Sequence, residues 1–495
     1  MIEIVFFVLM TGLAVITLAV IVILLIGHIV ATIRKKAAGK QVASLKRAGS
    51  FFAGVMVLNV CLVVFSQLTT STPGIRDESG IMPENSIAEL VQIELNGRNQ
   101  WINIRGWDKS KPVLLFLAGG PGGSQLAAVR HELPELEKHF VVVGWDQPGS
   151  AKSYYAEKIE NITVETYIQD GCALTDYLKE RFAQEKIYLI GESWGSALGI
   201  FMIDRAPGSY HAMIGTGQMV DFVKTEQIDY ATAMEIAVDR KDTKLIRKLE
   251  ANGVPPYYGK DVAWKSAAYL NYLSAIMANN IDIHNSGYDT IRDIASPEYG
   301  LVDKINFVRG VLNTYSYVYP QLYGLDLRKD HRDLDVPVSF FLGRHDINAP
   351  TSLVEEYVEG LAAPQKEIVW FEHSGHSPWI NEGPRFTSEA RAFFLNEPLK
   401  EAACNMDFLA WDAKEIWEYP LDKGDSLRVE LSRESGAIGL RIYGKNGSEV
   451  YVGNELDSCR FTVTVPETDD YVIELRGSDA TGSLLIGEIE KEGSF

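Results

Sequence analysis

Gly191-Glu192-Ser193-Trp194-Gly195 sets a serine between two glycines. The apolar run Ile187-Tyr188-Leu189-Ile190 precedes it and the small residues Ser196-Ala197-Leu198-Gly199 follow. That is strand, sharp turn and helix. A serine on such a turn holds its hydroxyl above a sheet, the geometry of a nucleophile elbow. A hydroxyl is a weak nucleophile and needs an imidazole to take its proton. The imidazole needs a carboxylate that fixes its tautomer and stabilises the imidazolium. Asp346, in Gly343-Arg344-His345-Asp346, and His376, in Glu372-His373-Ser374-Gly375-His376-Ser377-Pro378, supply these groups. The chemistry of such a set is acyl transfer to serine and then to water. Leu117-Ala118-Gly119-Gly120-Pro121-Gly122-Gly123 adds a loop whose backbone N–H groups can approach a developing negative charge. One oxyanion donor is expected at Trp194, just after the serine. The other is expected at Gly119 or Gly120, because Pro121 has no N–H. The loop lacks the Gly-Lys-Ser/Thr ending of a phosphate-binding loop.

Rival residues lie close by. His373 and His345 read as loop residues, and His376 is preferred because it follows a glycine turn. Asp221, after an earlier strand, is a second candidate acid. No cysteine or histidine spacing suggests a metal site, and no cofactor is expected.

The elements that must position these groups follow from periodicity. Val91–Leu95 and Trp101–Ile104 read as a hairpin through Asn96-Gly97. Pro112–Leu117, Val141–Trp145, Ile187–Ile190, Met213–Val220, Val336–Leu342 and Glu367–Phe371 read as buried strands. Helical patterns fall between them at Ser124–Lys138, Val164–Phe182 and Trp194–Ala206, and a further helix follows at Phe386–Leu395. Such alternation predicts an α/β fold, a mostly parallel sheet with helices on both faces, over residues 86–220 and 330–397. Asp346 and His376 then fall at C-terminal strand ends, where these folds build their sites. Between 221 and 329 the strand signal stops. Helices are expected at Asp229–Glu250 and Val262–Met277, with frequent tyrosines, as a helical cap over the site. Short strand patterns return over 404–495 and predict a small all-β, sandwich-like domain. A cell-surface ligand for that domain is an expectation from its position alone.

The chain starts differently. Ile4–Val30 and Phe51–Leu68 are apolar runs long enough to span a bilayer. Between them lie Arg34, Lys35, Lys36, Lys40, Lys46 and Arg47 with no acidic residue, which puts this loop in the cytoplasm. A cleaved signal peptide would carry its basic cluster on the other side of the first run. Residues 1–70 are therefore expected to form a retained membrane hairpin, with everything after about Thr70 outside the cytoplasm. Of the 495 residues, 66 are acidic and 47 basic, a net charge of −19. This argues against nucleic acid as a partner. Cys404 and Cys459 either pair outside the cytoplasm or remain two buried thiols.

Taken together, the motifs resemble those of the proline iminopeptidase branch of the α/β-hydrolase superfamily. The branch carries His-Gly-Gly-Pro-Gly after the third strand, and this chain has Ala118-Gly119-Gly120-Pro121-Gly122. It carries Asp-Gln-Arg-Gly-x-Gly-x-Ser after the fourth, and this chain has Asp146-Gln147-Pro148-Gly149-Ser150-Ala151-Lys152-Ser153. At the elbow Gly-Gly-Ser-Trp-Gly is matched by Gly191–Gly195, with Glu192 in place of a glycine. The resemblance covers about residues 86–397. It implies a Ser193-Asp346-His376 triad, in the chain order of that superfamily. It also implies an aminopeptidase acting on small peptides, with acidic cap residues for the substrate's amino group; Glu226 and Glu235 match these in charge only. An esterase or amidase on small acyl substrates, and a binding module on a hydrolase scaffold, are the other readings.

Overall fold

The computed structural model describes residues 2–34, 39–77, 79–285, 287–395, 399–456 and 458–489. Two long helices open it, α1 (Ile2–Ile33) and α2 (Gly39–Leu68). Both are long and apolar enough to cross a membrane, and only 11% of each apolar window is buried. Helices of a soluble core would instead be mostly covered. α2 begins earlier than its apolar run. Lys40, Lys46 and Arg47, expected in a loop, lie on its first turns, because Gly39–Ser50 holds good helix formers and no proline. Lys35 and Lys36 lie outside the described residues.

The elements that follow are arranged around one eight-stranded sheet. Its strands are β1 (Ile87–Leu95), β2 (Arg98–Gly106), β3 (Val113–Leu117), β4 (Val141–Asp146), β5 (Ile187–Glu192), β6 (Tyr210–Thr216), β7 (Val338–Gly343) and β8 (Lys366–Phe371). Their order is β1-β2-β4-β3-β5-β6-β7-β8. β1 and β2 pair antiparallel, and β2 meets β4 the same way. All other pairs, from β4 to β8, are parallel. Every residue of β3, β4 and β7 is buried, as continuous apolar strands between two helical layers should be. One core packs α4 (Val164–Phe182) and α5 (Trp194–Arg205) against one face. A second core packs α3 (Leu126–Glu132) and a C-terminal helix (Gly383–Leu395) against the other. The expected helix Ser124–Lys138 is shorter because Pro134 stops it, and a 3₁₀ turn follows. From β3 the chain steps to β4 on one side and later to β5 on the other. The C-terminal ends of β3 and β5 therefore flank the point where strand order reverses, the usual crevice for a ligand.

Helices replace strands between β6 and β7. The first three are α6 (Phe222–Asp239), α7 (Thr243–Asn252) and α8 (Val262–Ala278). Later come α9 (Thr290–Ile294) and α10 (Leu301–Arg309). The single helix expected over Asp229–Glu250 is two. Lys241 turns left-handed (φ 57°), and Asp242 restarts the helix by accepting the Leu245 N–H at 3.0 Å. The last turn of α2 reaches this region. Ser66 Oγ accepts the Leu301 N–H at 2.8 Å and Gln67 Oε1 the Val302 N–H at 3.1 Å. α2 thus caps the start of α10.

The C-terminal region is a six-stranded antiparallel sheet. Two long strands, Ser426–Gly444 and Asp469–Ile489, pair over almost their whole length. Register shifts near Arg433, Ser435 and Ala437 bend them. The expected all-β domain is thus an antiparallel sheet with its own apolar core. Cys404 and Cys459 are not joined by a disulfide among the described residues. Glu389, on the Gly383–Leu395 helix, accepts from the Thr462 N–H and hydroxyl and docks this sheet to the α/β body.

Candidate active site

The turn after β5 is as tight as its residues suggest. Ser193 sits at φ 53°, ψ −120°, a conformation that side chains other than glycine rarely adopt. Its N–H donates to Thr216 O at 3.0 Å and holds the turn against β6. A Cβ at Gly195 would lie 2.1 Å from Leu117 O, so α5 presses directly on the end of β3. Strain of this kind persists because neighbours on both sides fix it.

Across the crevice, Asp346 and His376 meet. His376 Nδ1 lies 3.0 Å from Asp346 Oδ2. The other carboxylate oxygen, Oδ1, accepts the N–H groups of Asn348 (2.8 Å) and Ala349 (3.0 Å). A carboxylate only accepts, so in the neutral ring Nδ1 carries the proton and Nε2 is left as the acceptor. Burial alone would lower the imidazole's pKa. The charge of Asp346, its hydrogen bond and the charge of Glu192 outweigh burial and push it up to about 9. The ring packs on Gly217, where a Cβ would lie 2.7 Å from His376 Cε1. Gly217 directly follows Thr216, the residue that holds Ser193, so imidazole and serine share one turn of backbone. Among the described residues no hydrogen bond joins the Ser193 hydroxyl to His376.

The rivals are placed elsewhere. Asp221 caps α6 through the Lys224 N–H at 2.9 Å and pairs with Arg328 at 2.8 Å. His373 is exposed and stacks on His284 with ring centroids 4.1 Å apart. His345 lines a different cavity.

The glycine loop divides its work. The Gly119 N–H points to Gln125 Oε1 at 3.3 Å, which occupies it. Gly120 and Trp194 line a cavity of about 110 Å³ together with Ser193. Gln147 links this loop to the elbow. Its Nε2 donates to Ala118 O at 3.1 Å, and its Oε1 accepts the Trp194 indole N–H at 2.9 Å.

Two acids hold positions that their motifs alone do not announce. Glu192, beside the serine, is buried and accepts from Gln125 Nε2 (2.9 Å), Tyr288 OH (2.9 Å) and Ser377 Oγ (3.0 Å). It therefore touches the glycine loop, the cap and the residue after His376. Asp229, on α6, lines the serine cavity and is 1% exposed. Among the described residues, neither of its carboxylate oxygens has a hydrogen-bond partner. Burial, then the nearby charges of Glu226 and Asp346, raises its pKa well above the usual carboxylate range. Glu226, one turn earlier, accepts from Ser266 Oγ and Tyr269 OH, and burial pushes it up to about 7. Glu235 faces solvent. The i, i+3 spacing of Glu226 and Asp229 was the available signal, since it puts both on one helix face.

Comparison with known proteins agrees with this architecture. Residues 112–241 match the model of the alpha/beta hydrolase fold family. The probable aminopeptidase YbaC of Bacillus subtilis (strain 168) is 30% identical over 312 residues, 62% of this chain and 97% of that protein. The chain is an α/β-hydrolase. A proline iminopeptidase of Lactobacillus crispatus (strain ST1) is 32% identical over 121 residues, 24% of this chain and 40% of that protein. The solved proline iminopeptidase of Mycobacterium smegmatis covers 62% of this chain and 98% of its own, at 15% identity and a TM-score of 0.46. Within the superfamily, the chain's sequence similarity extends to proteins described as a probable aminopeptidase and as proline iminopeptidases.

Proposed function

We propose that this protein is a membrane-anchored serine aminopeptidase that releases the first residue of peptides outside the cytoplasm. Ser193 Oγ attacks the first peptide carbonyl as His376 Nε2 takes its proton. Asp346 holds the imidazole, and the amides of Gly120 and Trp194 face the oxyanion. The imidazolium gives its proton to the leaving amine. Water, activated by His376, then releases the amino acid from the acyl-enzyme. YbaC's description as a probable aminopeptidase supports the activity.

The observation that carries the peptidase reading is Asp229. A buried carboxylate with no partner costs several kcal/mol to ionise, and a cation beside it removes that cost. The free ammonium of a peptide N-terminus is the cation that this cavity fits, because the cavity also holds the serine. The two apolar helices, little buried, support the anchor. The basic cluster at Arg34, Lys40, Lys46 and Arg47 supports an outward catalytic body.

One experiment tests both parts. Intact cells carrying the protein should hydrolyse externally supplied tripeptides with free N-termini. Their N-acetylated forms should be turned over at least tenfold more slowly. The activity should stay with the membranes through an alkaline carbonate wash. Equal turnover of the acetylated forms removes the aminopeptidase reading, and activity that appears only on lysis removes the outward orientation.

Glu192 adds a pH effect. Its charge helps to hold His376 protonated. A protonated imidazole cannot act as base, so kcat/KM should rise with pH as His376 loses its proton. Glu192→Gln should move that limb to lower pH. A limb that stays in place would show that the carboxylate's role is confined to packing.

A further inference from the structure

A second cavity, of about 410 Å³, lies on the other side of the candidate site. It is lined by His376 but not by Ser193, whereas the 110 Å³ cavity is lined by Ser193 but not by His376. Asn348 belongs to both and forms the wall between them. Chemistry gives the two spaces different roles. The acyl group stays on the serine after the first step, so it occupies the serine side. The leaving group must lie within hydrogen-bond reach of the imidazolium that protonates it, so it occupies the histidine side. We propose that the larger cleft is the leaving-group subsite and takes an uncharged, mainly apolar segment of the peptide after the cut bond.

The lining supports that ligand class. Met277 and Ala278 come from the end of α8, Ile283 and the Tyr288 ring from the loop after it, and Gly375 and Asn381 from the histidine loop. Apart from His376, none of the described lining residues is ionisable except the Tyr288 phenol. That phenol is spent on Glu192. An ammonium side chain entering here would lose water and find no counter-charge, and a carboxylate would meet only the His376 imidazolium, whose proton the leaving group needs. A peptide's own C-terminal carboxylate would meet the same cost, which favours substrates long enough to carry it beyond the rim.

Tyr288 also gives the cleft a route to the reacting atoms. Its hydroxyl donates to Glu192, which accepts in turn from Gln125, the residue that engages the Gly119 N–H. The cleft wall is thus joined by hydrogen bonds to the glycine loop. In the step itself, the Ser193 Oγ–C bond forms and the C–N bond breaks. The amine takes the proton from His376 Nε2 and departs through this cleft.

The inference rests on the serine hydrolase reading, and its test separates the two. Ala278→Trp fills the cleft from the end of α8. Wild type and variant are compared on a tripeptide with leucine at its second position and on the corresponding aminoacyl amide, whose leaving group is ammonia. A parallel arm uses the 2-naphthyl and methyl esters of the same amino acid. The ratio of kcat/KM for large over small leaving groups should fall at least tenfold in the variant. Fluorophosphonate labelling reports whether the variant is folded, and Ala275→Trp replaces it if labelling is lost. An unchanged ratio, or a changed preference for the first residue instead, overturns the subsite. If wild type turns over only the esters, the aminopeptidase reading falls and the ester arm still decides the subsite. Turnover of no substrate overturns both.

Discussion

Ser193→Ala is expected to lower kcat by about 10⁴- to 10⁶-fold while leaving the fold intact. The size follows from what remains. Without Oγ there is no acyl-enzyme, and His376 can only activate water against a carbonyl held for attack by serine. The Gly120 and Trp194 amides still face the oxyanion, so a residual rate above that in water persists. Folding should suffer little. The elbow is held by backbone, with Ser193 N–H on Thr216 O and Gly195 against Leu117 O, and alanine keeps that backbone. The measurement is turnover of the preferred peptide alongside intact-mass detection of fluorophosphonate labelling. Labelling of the alanine variant at the wild-type rate would move the nucleophile to another residue.

Asp229→Asn is expected to cut kcat/KM for peptides with free N-termini by about 100-fold, a loss of about 2.7 kcal/mol. An amide still hydrogen-bonds an ammonium but gives it no charge. Esters of acids that lack an amino group should respond much less. The same substitution should stabilise the empty enzyme, and the sign can be worked out. The unfolded chain ionises Asp229 above about pH 4. In the folded protein burial raises that pKa well above the ordinary value. Between the two values the unfolded state holds the charge more easily, so Asp229 costs stability that grows with pH until the folded pKa is reached. The neutral amide of the variant carries no such cost. Its Tm should exceed that of wild type by a margin that widens as pH rises above about 5 toward the folded-state pKa. Full peptide activity in the variant would exclude Asp229 as the amine's partner, whatever the Tm.

Legibility in the sequence followed locality. Ser193, Asp346 and His376 each sit in a short motif directly after an apolar strand, so type and place could be read together. The parallel sheet was equally readable, because β3, β4 and β5 are unbroken apolar runs. What escaped depends on contacts distant in the chain. Glu235 and Asp229 lie on the same helix, and only packing of α6 on the body shows that Asp229 turns inward while Glu235 meets solvent. Gly119 and Gly120 are adjacent and alike. Gln125, six residues on, engages the Gly119 N–H, while Gly120 is the one that lines the serine cavity. Glu192 read as a departure from a family motif. Its three partners come from the glycine loop, the cap and the histidine loop, and no local pattern could gather them. The bend of the C-terminal sheet has the same origin, since bulges in two long strands act only once those strands are paired.

Residues 66–72 work as a pin through two plates. On the cap they hold the first N–H groups of α10, and Thr72 donates to Glu298 Oε1 at 3.0 Å. On the body Thr72 Oγ1 accepts from Arg105 at 2.9 Å, and Thr70 Oγ1 from Lys152 at 3.2 Å. Any swing of the cap away from the serine must therefore pivot near this point, with its travel at the opposite end. A form trimmed after Leu68 keeps Ser193, Asp346 and His376 but removes Ser66 and Gln67 from the pin. Leu301 and Val302 then offer bare N–H groups to water, at a cost of about 0.5–2 kcal/mol for a lost helix cap. Selectivity measured on the trimmed enzyme would describe a lid with a loosened hinge, and the intact chain would be the more discriminating of the two.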